Sequence, residues 1–536
     1  TASQAETVLH NIEGYTSSAD GPVEFSVLVI GDDGRVAATG DDALLAAHTD
    51  AVLIDGGGRT VLPGLVDAHA HVLGYGLLQS QLDLTGVASV GDAADRIADY
   101  ARDHVHARWI LGRGWNQVLW PVKVFPRAAD IDAVVSDRPV WLRRVDGHAG
   151  WANSAAMKLA GIDRDTADPV GGKIIRDAEG RATGVFIDKA MGLINAHVPQ
   201  PDKSEMRSAI RAAQDALLSQ GITGVHDAGI GLMTAEVYMS MADDDDLDLR
   251  IYAMTAGAGD VLDALGAPIR GYADDHLAIA AVKLYTDGAL GSRGAAMIEP
   301  YSDDPENRGL PFWTQSELDA MVAKANGMGF QVGIHAIGDL GNRMALEAFA
   351  KAQDGKPSPL RNRIEHAQIV ALEDIPRFAE LGLVASMQAT HATSDKNMAE
   401  DRVGPERIRG GYAWRRMLDA GVVLANGSDF PVELANPFHG LYAAVTRQDR
   451  GGMPEGGWYA DQALTRAEAL HSFTLAGAYA ARQEDRLGSL EPGKWADFIV
   501  IDRNYYRVPA DQIDDIVVLE TWIAGRKTFD REDRQQ

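Results

Sequence analysis

The chain has 536 residues, too many for one ordinary domain but within reach of a large barrel with additions. Its 77 acidic and 50 basic residues leave a formal charge of −27, which argues against a nucleic-acid partner, because phosphate backbones are bound by basic patches. With 46% hydrophobic residues, no cysteine and no apolar stretch long enough to span a bilayer, it reads as a soluble globular protein without disulfides or thiolate metal sites. Any metal must be held by His, carboxylate or modified Lys. The first residue is Thr1, so both the cytoplasm and export to the periplasm after removal of a signal peptide stay open.

In chain order, Glu24–Ile30 and Arg35–Thr39 flank the turn Gly31-Asp32-Asp33-Gly34 and predict a hairpin. A second β-rich patch lies at the far end, in Asp497–Asp502 and Ile516–Ile523. Neither terminal piece has enough strands to bury a face alone, so the two are expected to combine into one composite β-sandwich, from 1–62 and 481–536. Between them, over 63–480, apolar runs alternate with helical patterns, which predicts a parallel sheet with crossover helices. Eight runs are found: Val61–Asp67, Ile222–Asp227, Arg250–Thr255, Ala280–Tyr285, Phe330–His335, Arg363–His366, Leu383–Gln388 and Val422–Asp429. Eight such units favour a closed (β/α)₈ TIM barrel. The long gap after the first run, about 78–205, reads as an insertion. It carries Arg113–Trp120, Pro139–Ser154 and a hairpin around Gly171–Gly184, with loops expected over the barrel mouth. The acidic run Asp243–Asp246 reads as a solvated helix–strand connection.

Ionisable residues punctuate these apolar strands at their C-terminal ends, the face where such barrels place active sites. The first run ends in Asp67-Ala68-His69-Ala70-His71, and residues two apart on a strand face one side. Lys283 lies in the fourth run, His335 ends the fifth, His366 the sixth and Asp429 the eighth. Taken singly, each histidine is an ordinary structural residue, and Asp429 a helix cap. Lys283 is the odd one, because burying an unpaired ammonium is costly. Its alternative is an ion pair with Asp287 or Asp67. Six potential ligands from five strands on one mouth point to a metal site. His391, at the end of the seventh run, and His148, in the insertion, are candidates for substrate contact. His226 at the end of the second run is evenly balanced between site and structure. Trp115, Trp120 and Trp151 read as either a lid or the insertion's own core.

These segments resemble the amidohydrolase superfamily, in its amidohydrolase-3 (YtcJ-like) branch, which includes N-substituted formamide deformylases. The resemblance rests on Leu62–His71, Val282–Ser292, His335–Asp339, Arg363–Gln368 and Gly427–Val432, and covers nearly the whole chain. Gly493–Asp502 resembles the family's return from barrel to sandwich. Asn116 and Ala389 stand where the branch commonly has an acidic residue and Pro. By that resemblance His69 and His71 hold the more buried of two divalent ions and His335 and His366 the second. Lys283 bridges them as a CO₂-derived carbamate, and Asp429 touches the buried ion. Zinc is the default, with Mn, Fe or Ni compatible with the same donors. The implied activity is hydrolysis of an amide-type C–N bond by a metal-activated hydroxide, with Asp429 as proton shuttle and His148 or His391 beside the oxyanion. Ester, lactone or cyclic amide hydrolysis at the same site, and a non-catalytic barrel, are the alternatives. The expected partner is a small-molecule substrate, with at most a second copy of the chain as a homodimer.

Overall fold

The computed structural model describes residues 5–533 apart from 19–20, 145–146, 148 and 170–171. The chain divides into two compact units, one of Thr1–Tyr75 with Ile210–Gln536, the other of Gly76–Ala209.

The first unit contains eight parallel strands: β1 (Leu65–Ala70), β2 (Ile222–Ile230), β3 (Arg250–Ala256), β4 (Leu277–Tyr285), β5 (Gln331–Ala336), β6 (Arg363–His366), β7 (Val384–Gln388) and β8 (Val423–Gly427). Each pairs with its neighbour in chain order, giving a (β/α)₈ barrel. Helices such as Asp339–Ala352 after β5 wrap the outside. Strands covered on both faces need apolar side chains on both, and β4 is buried at every position except Tyr285. Beyond the strand ends, β8 is stitched to β1. Asp429 N donates to His69 O at 2.8 Å, and His71 N donates to Phe430 O at 2.9 Å. The Asp67 carboxylate accepts from Ser428 N and Oγ.

The chain ends share one six-stranded sheet, in which Phe498–Ile501 runs antiparallel to Thr60–Pro63. A four-stranded sheet containing Thr7–His10 and Val27–Ile30 packs with it around Leu9, Phe25, Leu28, Val61, Phe498 and Trp522. Two runs are divided differently from the expectation. Val61–Asp67 is not one strand: Thr60–Pro63 lies in the sandwich sheet and β1 begins only at Leu65. The exchange occurs at the peptides between, where Gly64 N donates to Asp497 O and Leu65 N to Gly221 O. Glu24–Ile30 is likewise split at Ser26, whose N donates to Gly40 O, so Gly21–Phe25 and Val27–Ile30 join different sheets. Val27–Ile30 and Val36–Gly40 form the hairpin around Gly34.

The second unit has its own six-stranded sheet, including Ile110–Trp115, Val140–Arg144 and Ala149–Ala152, with Gly172–Arg176 and Ala182–Asp188 as an antiparallel hairpin. Trp115, Trp120 and Trp151 are buried in its core, with ring centroids 6.1–6.5 Å apart about Trp115. Each indole N–H donates to a backbone carbonyl within the unit, of Leu142, Val87 and Arg127 respectively. They are core residues, and the lid reading is withdrawn.

Candidate metal centre

The predicted ligands meet at the C-terminal end of the barrel. His69 is the penultimate residue of β1, His71 follows its end, Lys283 lies two residues before the end of β4, His335 is on β5, His366 closes β6, and Asp429 follows β8. The imidazole of His366 stands 4.7 Å from that of His69 and 4.6 Å from that of His335, centroid to centroid. His71 Nε2 lies 3.1 Å from Asp429 Oδ1 and His69 Nε2 lies 3.7 Å from it. Ligand atoms of His69, His366 and Asp429 all fall within 4.8 Å of one another. The residues His71, Lys283, His335, His366, His391 and Asp429 line an open cavity of about 360 Å³, whose wall also includes Tyr285, Leu290, Ile337 and Val432.

Two of the site residues have strained backbone. His366 and Asp429 have φ of 72° and 61°, in the left-handed region that non-glycine residues rarely occupy. Leaving the strand in this conformation turns the side chain out of the sheet's alternation. Asp429 is no helix cap: the next helix, Pro437–Thr446, is capped by Asn436.

Lys283 is 1% exposed. Its Nζ is 3.2 Å from His69 Nε2 and 4.6 Å from the Tyr285 ring centroid. The carboxylates proposed to pair with it are engaged elsewhere. Asp67 accepts from Ser428 and from His69 N, while Asp287 accepts from the backbone N–H groups of Ala296, Ile337 and Gly338. Burial lowers the Lys283 amine to about 8. Burial also lowers His69 to about 4 and His335 to about 3, and holds His366 well below its ordinary value. These imidazoles are therefore neutral at pH 7. For Asp429, burial opposes ionisation, but the His71 hydrogen bond and the surrounding histidines hold its carboxyl well below the usual range.

The donor set fits a metal. Nε2 of His335, one of the predicted ligands, is buried with no hydrogen-bond partner among the described residues. His69 Nδ1 faces Glu365 Oε2 at 2.5 Å and His366 Nδ1 faces Gln388 Oε1 at 2.7 Å. Facing acceptors, the Nδ1 atoms of His69 and His366 are the protonated ones, which leaves an unprotonated Nε2 forward on each, as metal-binding histidines require.

Two second-tier residues are placed differently from expectation. His391 does not end β7; it lies in the helix Ala389–Asp395 that follows at once. It still faces the cavity, with Nε2 3.7 Å from Asp429 Oδ2 and Nδ1 3.2 Å from Gln368 Nε2. His226 is mid-strand, bonded to Arg363 through Nδ1 at 2.7 Å, and borders a separate void of about 20 Å³. His148 lies outside the described residues. Sequence reasoning missed Arg363, Glu365, Gln388 and Gln368. The available signal was position, and only for two of them: Gln388 ends the strand next to that of His366, and Gln368 lies two residues after His366.

Comparison with known proteins gives consistent relatives. The sequence model described as "Amidohydrolase family" matches residues 52–529. Protein LONG AFTER FAR-RED 3 of Arabidopsis thaliana is 33% identical, over 98% of this chain and 92% of its own. N-substituted formamide deformylase of Arthrobacter pascens is 27% identical, over 94% and 95%. Among solved structures, a metal-dependent hydrolase from Pyrococcus horikoshii OT3 superposes with a TM-score of 0.79 at 28% identity, covering 94% of this chain and 99% of that one.

Proposed function

The chain belongs to the amidohydrolase family, and from that premise we propose that it is a metal-dependent hydrolase of amide-type C–N bonds. The observation that carries the proposal is the convergence of His69, His71, His335, His366 and Asp429 around the buried amine of Lys283. His69 and His71 are assigned to the more buried of two divalent ions, with Asp429 beside it, and His335 and His366 to the other. Zinc is the first choice for imidazole and oxygen donors. Bound there, the ions would acidify a water and polarise the scissile carbonyl.

Lys283 would supply an anionic ligand to the ions. Its neutral amine adds to CO₂, forming an N–C bond and releasing one proton, and the carbamate then offers two oxygens. Burial favours the neutral amine this step needs. Asp429 accepts the proton of the attacking water as the C–O bond forms, and returns it to nitrogen as the C–N bond breaks. His391 is assigned as donor to the developing oxyanion, supported by its Nε2, which has no partner among the described residues, and its position in the cavity wall. The C–N specificity is supported by the similarity to N-substituted formamide deformylase, and metal dependence by the similarity to the Pyrococcus hydrolase.

The test is a panel of N-formyl amines, N-acyl amino acids and lactones, assayed with zinc and bicarbonate, alongside elemental analysis. Turnover of the amide substrates, lost on chelation and restored by zinc, is expected with about two ions per chain. Full activity in metal-free protein defeats the proposal, and turnover confined to lactones reassigns the bond.

A further inference from the structure

Behind the ligands lies a polar cluster that the mechanism does not use. Arg363 and Glu365 are two residues apart on β6, so their side chains share one face, and both are 0% exposed. Arg363 donates to Glu365 Oε1 from Nε at 2.8 Å and to Oε2 from a terminal nitrogen at 3.0 Å. It also donates to Ala68 O at 2.6 Å, Ser386 Oγ at 2.8 Å and His226 Nδ1 at 2.7 Å. One guanidinium therefore ties β1, β2, β6 and β7 together, and one of its contacts is the carbonyl adjoining His69. Glu365 Oε2 then takes a further hydrogen bond, from His69 Nδ1, at 2.5 Å.

We propose that Glu365, clamped by Arg363, is the positioning residue that fixes His69 in its Nδ1-protonated tautomer and so presents Nε2 to the ion site. The inference rests on the reading of His69 as a metal ligand.

Three observations separate this role from that of a buried ion pair alone. The shortest contact of Glu365 is to His69, not to Arg363. Both of its oxygens accept from the Arg363 guanidinium, which can only donate, so it faces His69 as a charge-paired carboxylate. An ionised carboxylate can only accept, so His69 Nδ1 must carry the proton. Space is also reserved for it: a Cβ on Gly333 of β5 would stand 2.6 Å from Glu365 Oε1. The partner behind His366 is different in kind, the neutral amide of Gln388. The ion held by His69 therefore has an anion one bond network away, and the ion held by His366 does not. An anionic partner raises the basicity of its imidazole, so the two ion sites should respond unequally to its loss.

The experiment measures zinc affinity of the full-length protein, stripped and reloaded, by competition with a chromophoric chelator. Glu365→Gln keeps the shape and removes the charge. It should weaken one of the two zinc ions by about 10–100-fold and leave the other within a few-fold. Gly333→Ala, which displaces the carboxylate without discharging it, should weaken the same ion by a smaller factor. Lower thermal stability with unchanged zinc affinity in both variants would make Glu365 only the counter-ion of Arg363 and overturn the inference, while the metal site stands. Absence of stoichiometric zinc binding by the parent protein overturns both. A third measurement does not depend on a variant at position 365 folding. In histidine ¹⁵N spectra of the metal-free parent protein, the signals lost in His69→Ala should report protonated Nδ1 and bare Nε2. The opposite tautomer overturns the inference.

Discussion

Reconstitution of metal-free protein should depend on pH in a way set by Lys283. The amine reacts with CO₂ only when unprotonated, and burial lowers it from 10.5 to about 8. At pH 7 an exposed lysine is neutral in about three molecules in ten thousand, whereas at about 8 the fraction is about a tenth, a gain of about 300-fold. Because the titrating form is a cation, the reactive fraction rises as pH increases. It should grow nearly tenfold per unit below about 8 and level off above it. The assay strips the protein of metal at low bicarbonate, then adds zinc and ¹³C-bicarbonate across pH 6.5–9, with the dissolved CO₂ concentration held constant. Two readouts follow: the rate at which activity returns, and the carbamate ¹³C signal. Lys283→Met should show neither, and short carboxylic acids should restore part of its activity by supplying the bridging oxygens. A reactivation rate independent of pH, or two ions bound with full turnover in Lys283→Met, would refute the carbamate reasoning.

Asp429→Asn should keep the histidine-held ions but lose about 10²–10⁴ in kcat, because an amide cannot carry the proton; metal content and turnover measured on one preparation check this, and near-normal turnover would move the shuttle to His391. Trp115→Ala should act through stability. Removing a fully buried indole costs about 3–5 kcal/mol, and the Leu142 carbonyl loses its donor. A large drop in Tm with little change in KM is expected, and a KM change without destabilisation would return Trp115 to substrate binding. Asp497→Ala should cost about 3–5 kcal/mol by stranding the buried Arg250 guanidinium, which it meets at 2.5 and 2.9 Å; denaturant unfolding measures it.

The barrel and the position of its site were legible because parallel strands covered on both faces read as unbroken apolar runs. A charged or imidazole side chain in such a run stands out. Lys283, in Ala-Ala-Val-Lys-Leu-Tyr, is the clearest case. Arg363 and Glu365 were not legible for the converse reason. In Arg-Ile-Glu-His the alternation of polar and apolar residues reads as a strand with one wet face, whereas both polar residues point into the barrel. Their partners His226, Ala68 and His69 are 137, 295 and 296 positions away, so no local pattern announces them. His391 was misplaced because Ala-Thr-His-Ala-Thr-Ser after Gln388 has no helical apolar period, and the helix there is short. The three tryptophans were ambiguous because a lid and a core ask for the same residue type, and only their indole N–H partners decide between them.

The strained backbone of Asp429 must be held by something, and Asp67 is the residue so placed. A left-handed conformation at a non-glycine residue costs on the order of 1–3 kcal/mol and persists only where neighbouring contacts fix it. Asp67 accepts from Ser428 N at 3.0 and 3.1 Å, from Ser428 Oγ at 2.6 Å and from His69 N at 3.1 Å, so one carboxylate joins the residue before Asp429 to His69. Gly427 has no room for a side chain because a Cβ would sit 2.5 Å from Asp67 Oδ1. Asp67→Ala removes the clamp and leaves the Ser428 and His69 amides buried without acceptors, at about 1–3 kcal/mol each. That sum, about 2–6 kcal/mol, is a large part of an ordinary folding free energy, and it falls on one seam of the barrel. The seam should therefore open locally before the rest unfolds. Hydrogen exchange at the amides of His69, Ser428 and Asp429 should accelerate by about 30-fold or more, while amides of β4 and β5 keep their protection. kcat should fall by about 10², the cost of a reacting group displaced by about 1 Å. Asp67→Asn, which retains an acceptor oxygen, should fall between the two. Unchanged protection at those amides in a folded Asp67→Ala protein would show that the β1–β8 backbone bonds alone hold Asp429 in place.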